Sequence, residues 1–226
     1  MTFTLPVLIA LAACAAVAIL GWRDHERQRV TRRSLLDACA SHLEQSKISY
    51  GGDGFPRLDG VINGVQVRAE LIPDSMTIRR LPQLWLSLTR LETRKNLAEF
   101  AILVRPTGTE FYSLTSHYQR RLDAPAGFPG EILLRGSGRQ AQLLLDLVAG
   151  AAARILVNEK VKEIAVTAKG LRLVWQASEG RRGEHLLLRQ ATFDDAHVTA
   201  DDFDSLLSSL DDLGRAINAH RGKGLV

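Results

Sequence analysis

Hydrophobic residues along this chain fall into one long unbroken block followed by short periodic segments. From Met1 to Trp22 no side chain is charged. As a helix, Leu5 to Trp22 would rise roughly 27 Å, close to the roughly 30 Å hydrocarbon core of a bilayer. Pro6 falls in the first turn, where its missing N–H costs nothing, and Trp22 falls where an interfacial aromatic is expected. Residues 1–22 therefore read as a transmembrane anchor.

Beyond Arg33 the pattern becomes that of a folded domain. Leu35, Leu36, Ala38, Cys39 and Leu43 recur at helical spacing, which predicts a helix from Ser34 to Lys47 with Ser34 as its N-cap. The turn-rich stretch SYGGDGFP ends it. Val61 to Leu71 then alternates around Asn63-Gly64, a hairpin dipeptide, with Val65, Val67, Ala69 and Leu71 on one face. Ile72 to Ser75 reads as a turn, after which a run from Met76 to Glu92 sets Leu84, Leu86 and Leu88 against Trp85 and Ser87. Trp85 reads as a packed anchor under a helix. Further strands are predicted at Glu99–Arg105 and Glu131–Arg135.

Gln140 to Val157 is helical in pattern and apolar on nearly every side. Ile164 to Ala177 reads as a hairpin around Lys169-Gly170, with Glu184 to Phe193 pairing onto it. A last helix runs from Thr199 to about His220, capped by Thr199 with Asp202 three residues on. Phe203, Leu206, Leu207, Leu210, Leu213 and Ile217 form its apolar stripe. The implied fold class is α+β: a transmembrane helix, then an antiparallel sheet with about three flanking helices. Helix, hairpin and strand follow one another from Ser34 and again from Gln140. That order suggests two related halves, 34–136 and 137–220, within one domain spanning 34–220, with 221–226 as a tail.

Composition adds class and compartment. With 46% hydrophobic and 24% charged residues, the chain has the balance of a globular protein and not of a disordered one. Only six of the 29 basic residues are Lys, and this Arg bias, with abundant Ala, Leu and Gly, is associated with GC-rich bacterial genomes. Cys14 and Cys39 flank the end of the apolar block and form no disulfide framework. Leu11-Ala12-Ala13-Cys14 resembles a lipoprotein cleavage box, but the chain stays apolar for eight residues past Cys14, which favours a retained anchor. Arg23, Arg27, Arg29, Arg32 and Arg33 follow the span against only Asp24 and Glu26, so residues 23–33 read as a basic juxtamembrane linker. Positive charge stays cytoplasmic, which predicts a single-pass protein of a bacterial inner membrane with its N-terminus outside and its domain inside. These arginines are also candidate anionic-lipid contacts, at about 1 kcal/mol per uncompensated charge.

Candidate chemistry is sparse. The chain carries no Walker loop, HExxH, paired CxxC or GxSxG motif, so no catalytic residues, cofactor or metal are assigned and the reading leans away from an enzyme. Gly136, Ser137, Gly138 and Arg139 open a helix after a strand and form a candidate anion site. Ser116-His117 with Asp123 has the residue types of a triad, and Asp194-Asp195-Ala196-His197 those of a metal site, without the geometry either requires. Basic residues are not massed with aromatics, which argues against nucleic acid. Arg105 to Gly130 has no clear period. It holds Phe111, Tyr112, Tyr118, Arg120 and Arg121, the aromatic and arginine mixture of protein interfaces. The sequence thus points to a non-enzymatic, membrane-anchored accessory or assembly subunit that binds a protein partner. The alternative is a membrane-surface module for an anionic lipid headgroup or small anionic ligand.

Overall fold

The computed structural model describes residues 4–75, 81–93, 97–180, 193 and 196–221. Helix α1 spans Thr4–Arg33. Among the described residues it is the one helix long and apolar enough to cross a membrane, and none of its apolar window is buried in the protein. The helix does not stop at Trp22. Residues 23–33, expected as a linker, form its last three turns, and the chain enters the core immediately afterwards at Leu35 and Leu36.

The helix expected from Ser34 to Lys47 is not formed. Only one turn, α2 (Asp37–Ala40), survives, and Ser34 donates its hydroxyl to the Thr31 carbonyl at 3.0 Å instead of capping a new helix. Leu35, Leu36, Cys39 and Leu43 do face the core, whereas Ala38 of the same expected stripe is exposed. Beyond Leu43 no helical stripe continues, and Glu44–Tyr50 is instead β1, a mostly exposed edge strand. Edge strands need little alternation because both their faces and one flank are wet.

After β1 come β2 (Pro56–Ile62), β3 (Val65–Asp74), β4 (Gln83–Leu91), β5 (Phe100–Val104), β6 (Arg120–Arg121), β7 (Ile132–Gly136), β8 (Val161–Thr167) and β9 (Gly170–Glu179). Among the described residues these nine strands form one sheet in the order β1-β2-β3-β4-β9-β8-β5-β7-β6, every neighbouring pair antiparallel. Asn63 and Gly64 adopt φ of 50° and 75°, the conformation of a two-residue hairpin turn. The turn expected at Ile72 to Ser75 is strand instead: β3 continues through Pro73 and Asp74, paired with Leu84 and Gln83. β4 pairs with β9 over nine residue pairs, while β5 and β7 lie beyond β8, so strands from before and after residue 136 alternate across one sheet. Gly170 is required where β9 starts, since a Cβ there would lie 2.0 Å from the Arg90 carbonyl oxygen.

One face of the sheet is apolar. Leu58, Val67, Leu84, Leu86, Leu88, Phe100, Ile102, Ile164, Leu171 and Leu173 meet helices α3 (Arg139–Leu156) and α4 (Ala200–Arg221) in a single core. All six residues of the α4 stripe are buried there. Thr199 caps α4, its hydroxyl oxygen accepting from the Asp202 amide at 3.0 Å while its proton goes to the Asp202 carboxylate at 2.6 Å. Cys39 packs under the start of this helix, its Sγ 3.7 Å from the Val198 carbonyl. Burial, then the carboxylates of Asp204 and Asp202, push that thiol up to about 12. It is a packing group, not a nucleophile. The strand expected from Glu184 lies outside the described residues except for Phe193, which packs edge-on to Phe55 at 6.2 Å.

Leu210 is fully buried between α4 and the sheet. Leu210→Ala is expected to lower the unfolding free energy by about 2–5 kcal/mol with an unchanged denaturant slope, measured by chemical denaturation.

Candidate partner-binding cleft

Residues 105–131 cover part of the opposite face, over Trp85, Val174, Ala101 and Ala165, while the side chains of Arg57, Asp59, Arg68 and Glu70 of β2 and β3 stay partly exposed, and buried charge holds that cover down. In β8, Val161 opposes Trp175 and Glu163 opposes Val174, so Lys162 is an extra residue in a bulge. Alternation is lost there, and Lys162 and Glu163 both serve the outer side. The Lys162 ammonium donates to the Arg105 carbonyl at 2.6 Å and pairs with the Glu110 carboxylate at 2.9 Å. The fully buried Glu163 carboxylate accepts from the Ser113 hydroxyl, from the Leu114 amide at 3.0 Å and from Arg172 at 3.4 Å. Arg172 also donates to the Tyr112 carbonyl at 3.0 Å and to the Ser87 hydroxyl at 2.9 Å.

Burial by itself would raise the Glu110 pKa, but the Thr107 hydroxyl, the Lys162 ammonium and the Thr107 amide hold it down at about 2. At Glu163 burial prevails over Arg172 and Ser113, and the pKa is raised.

These contacts shape a cleft of about 410 Å³. Leu103 and Leu133, paired across β5 and β7, lie in it beside Ser113, Ser116 and Arg135. Phe111 stands at its edge with 64% of its surface exposed.

The five partner-binding candidates divide. Phe111 is exposed, and Arg120 and Arg121 form the exposed edge strand β6. Tyr112 and Tyr118 are each 8% exposed and belong to the layer itself. Tyr112 packs on Trp85 with ring centroids 5.6 Å apart, so the cover over Trp85 is this loop and not a helix. Tyr118 lies on Ala101 and Ala165, and burial together with Glu99 and Glu163 pushes its phenol up to about 12. Although it has no clear period, the stretch thus packs on the sheet through Tyr112 and Tyr118. Its regular structure is a 3-10 turn, Leu114–His117, started by Ser113, whose Oγ accepts from the Thr115 amide, and the two-residue strand β6.

Elsewhere the candidates stay apart. In the anion candidate, the Ser137 hydroxyl accepts from the Glu99 amide at 3.0 Å, and the Ser137 amide donates to the Glu99 carbonyl at 2.8 Å. Gly136 is there for packing, because a Cβ would fall 2.5 Å from that of Ala141. Gly138 and Arg139 begin α3 without a side-chain cap. Ser116 donates to the Ser113 carbonyl, and no hydrogen bond joins it to His117 or Asp123. Asp194 and Asp195 lie outside the described residues. The arginines of α1 also divide: Arg32 lies over the Phe55 ring at 5.6 Å and Arg33 over Tyr50 at 4.9 Å, while Arg29 pairs with Glu26 at 3.7 Å. Arg23 and Arg27 have no ion pair among the described residues. No protein-family model, curated protein or solved structure matches this chain.

The buried pairs give the domain a specific acid response. The Glu110 pKa lies below its ordinary 4.5, so its contribution is present above that pH and is lost as pH falls from 4.5 towards 2, up to about 3 kcal/mol. Glu163 works in the opposite sense, since a raised pKa favours the fold below 4.5 and less so above it. Glu110→Gln should therefore flatten the fall of Tm between pH 4.5 and 2.5. A calorimetric profile identical to wild type in that window would show that the pair carries no such linkage.

Proposed function

We infer that this chain is a single-pass, non-enzymatic membrane protein whose domain docks a protein partner, as an accessory or assembly subunit of a membrane complex. The observation that carries this reading is α1: an apolar helix with no burial of its own that runs without interruption into the domain core. Such a surface needs a bilayer, and its helical continuation holds the domain at a fixed distance of roughly 16 Å below the interface at Trp22. The cleft beside Phe111 is the partner site in this reading. An exposed aromatic over a floor already ordered by buried charge offers contact area with little ordering cost. The arginine excess after the span favours a cytoplasmic domain at a bacterial inner membrane.

A second reading is supported by Arg23 and Arg27, which have no ion pair among the described residues and lie within one or two turns of Trp22. In that reading the helix end binds anionic lipid headgroups, and the domain serves to place them.

Topology is tested by fusing alkaline phosphatase, and separately a fluorescent protein, after Val226. Fluorescence without phosphatase activity is expected, and strong phosphatase activity would reverse the orientation. Cys14→Ser should leave the mass and the membrane fractionation unchanged, whereas release of the domain would restore lipidation at that residue.

The cleft is tested by comparing two neighbouring aromatics. Phe111→Ala should leave Tm within about 1–2 °C and reduce recovery of a crosslinked partner at least tenfold. Tyr112→Ala should instead destabilise the domain by about 3 kcal/mol or more. Equal partner recovery by the Phe111 variant would remove the cleft from this role.

A further inference from the structure

Helix α3 keeps an apolar seam on its outer side that the described residues leave partly open. Leu143, Leu147, Gly150 and Val157 follow one another at intervals of four, three and seven. Leu143 is 56% exposed and Val157, at the C-cap, 80%, while the other side of the helix is buried. At the centre lies Gly150, a weak helix former in the middle of an 18-residue helix. The fold gives no reason for it. A Cβ at this position would meet nothing closer than Arg154 Nη1 at 3.9 Å, in contrast to Gly136 and Gly170, where backbone or side-chain atoms fill the space.

The charges beside the seam are placed symmetrically about that glycine. Asp146 lies four residues before it and Arg154 four after, while Leu143 and Val157 lie seven before and seven after. Asp146 accepts a hydrogen bond from the Gln142 amide at 2.9 Å, and Arg154 has no ion pair among the described residues. We propose that this face is the contact between two copies of the chain, their α3 helices packed antiparallel and crossing at Gly150. Antiparallel packing sets Asp146 of each copy level with Arg154 of the other, twice over by the two-fold axis, and Leu143 level with Val157. Parallel packing would instead set Asp146 against Asp146 and Arg154 against Arg154. The absent Cβ lets the two backbones approach at the crossing point, which is the use a glycine has at such a position. This contact is separate from the Phe111 cleft and does not depend on the partner inferred there.

The test uses the full chain in mild detergent, with Cys14→Ser so that the buried Cys39 is the remaining thiol. Light scattering should give the mass of a dimer. Gly150→Leu has open space in the single copy and strengthens the helix, so it should hold or raise Tm and yet run as a monomer at the same concentration. Asp146→Arg alone and Arg154→Asp alone should each weaken association about tenfold or more, and the double exchange should restore it. With Leu143→Cys and Val157→Cys together, mild oxidation should yield a covalent dimer. Within one copy these positions are about 21 Å apart along the helix and cannot bridge. A monomeric parent protein, a dimer that survives Gly150→Leu, or a double exchange that stays monomeric would each overturn the proposal. A dimer held through α1 alone would appear as insensitivity to both charge exchanges, and so counts against it.

Discussion

A single extra residue in β8 governs how the two faces of the sheet differ. Without the bulge at Lys162, one of two adjacent charged side chains would point into the apolar core under α3 and α4. With it, Lys162 and Glu163 both act on the outer side, where the segment after β5 supplies Glu110, Ser113 and two main-chain groups to receive them. The cost of burying these charges is offset by partners with good geometry, and loss of one partner would strand the other. The outer layer thus has an arrangement that pairs both buried charges of β8. This is why a stretch without helical or strand pattern still forms a shaped cleft with Leu103 and Leu133 inside it.

The inner face needs no such device. Leucines from β2, β3 and β4 and the stripe of α4 bury one another by shape and area, and the polar atoms there are mostly main-chain groups used by the ladders. Two kinds of cohesion therefore coexist in one sheet. The helical side rests on apolar shape, with the pairs His42–Asp204 and Arg90–Asp211 at its margin, whereas the loop side rests on buried charge and needs little regular structure.

Elements carried by their own periodicity were legible in the sequence. The α4 stripe, the Asn63-Gly64 and Lys169-Gly170 hairpins and the leucines of β4 all appear as the pattern implies. What escaped was set by partners distant in the chain. β1 carries too few apolar residues to alternate and is strand because β2 offers it an edge. The first residues of β8 hide behind the bulge, which breaks period two where the loop-covered face is built. Tyr112 and Tyr118 looked like interface residues because aromatics beside arginine in an aperiodic stretch are common in both settings. Only the position of Trp85, Ala101 and Ala165 beneath them decides that these two are buried. The one signal that could have separated them is the acidic and hydroxyl run Thr107 to Ser116, which has no role on a free surface loop but matches Lys162 and Glu163.

The continuity of α1 changes what the juxtamembrane arginines can do. On a flexible linker all five would answer to the lipid surface alone. On a helix that ends on Tyr50 and Phe55, Arg32 and Arg33 are turned towards the domain, and their guanidinium groups close the joint between anchor and fold. Arg23, Arg27 and Arg29 lie one to three turns nearer the apolar part of α1, where Arg29 pairs with Glu26 and none of the three reaches the domain in an ion pair among the described residues. Charge that the sequence alone assigns to one purpose is thereby divided by helical rise into a part that packs on the rings of the domain and a part that stays on the exposed helix beside its apolar stretch.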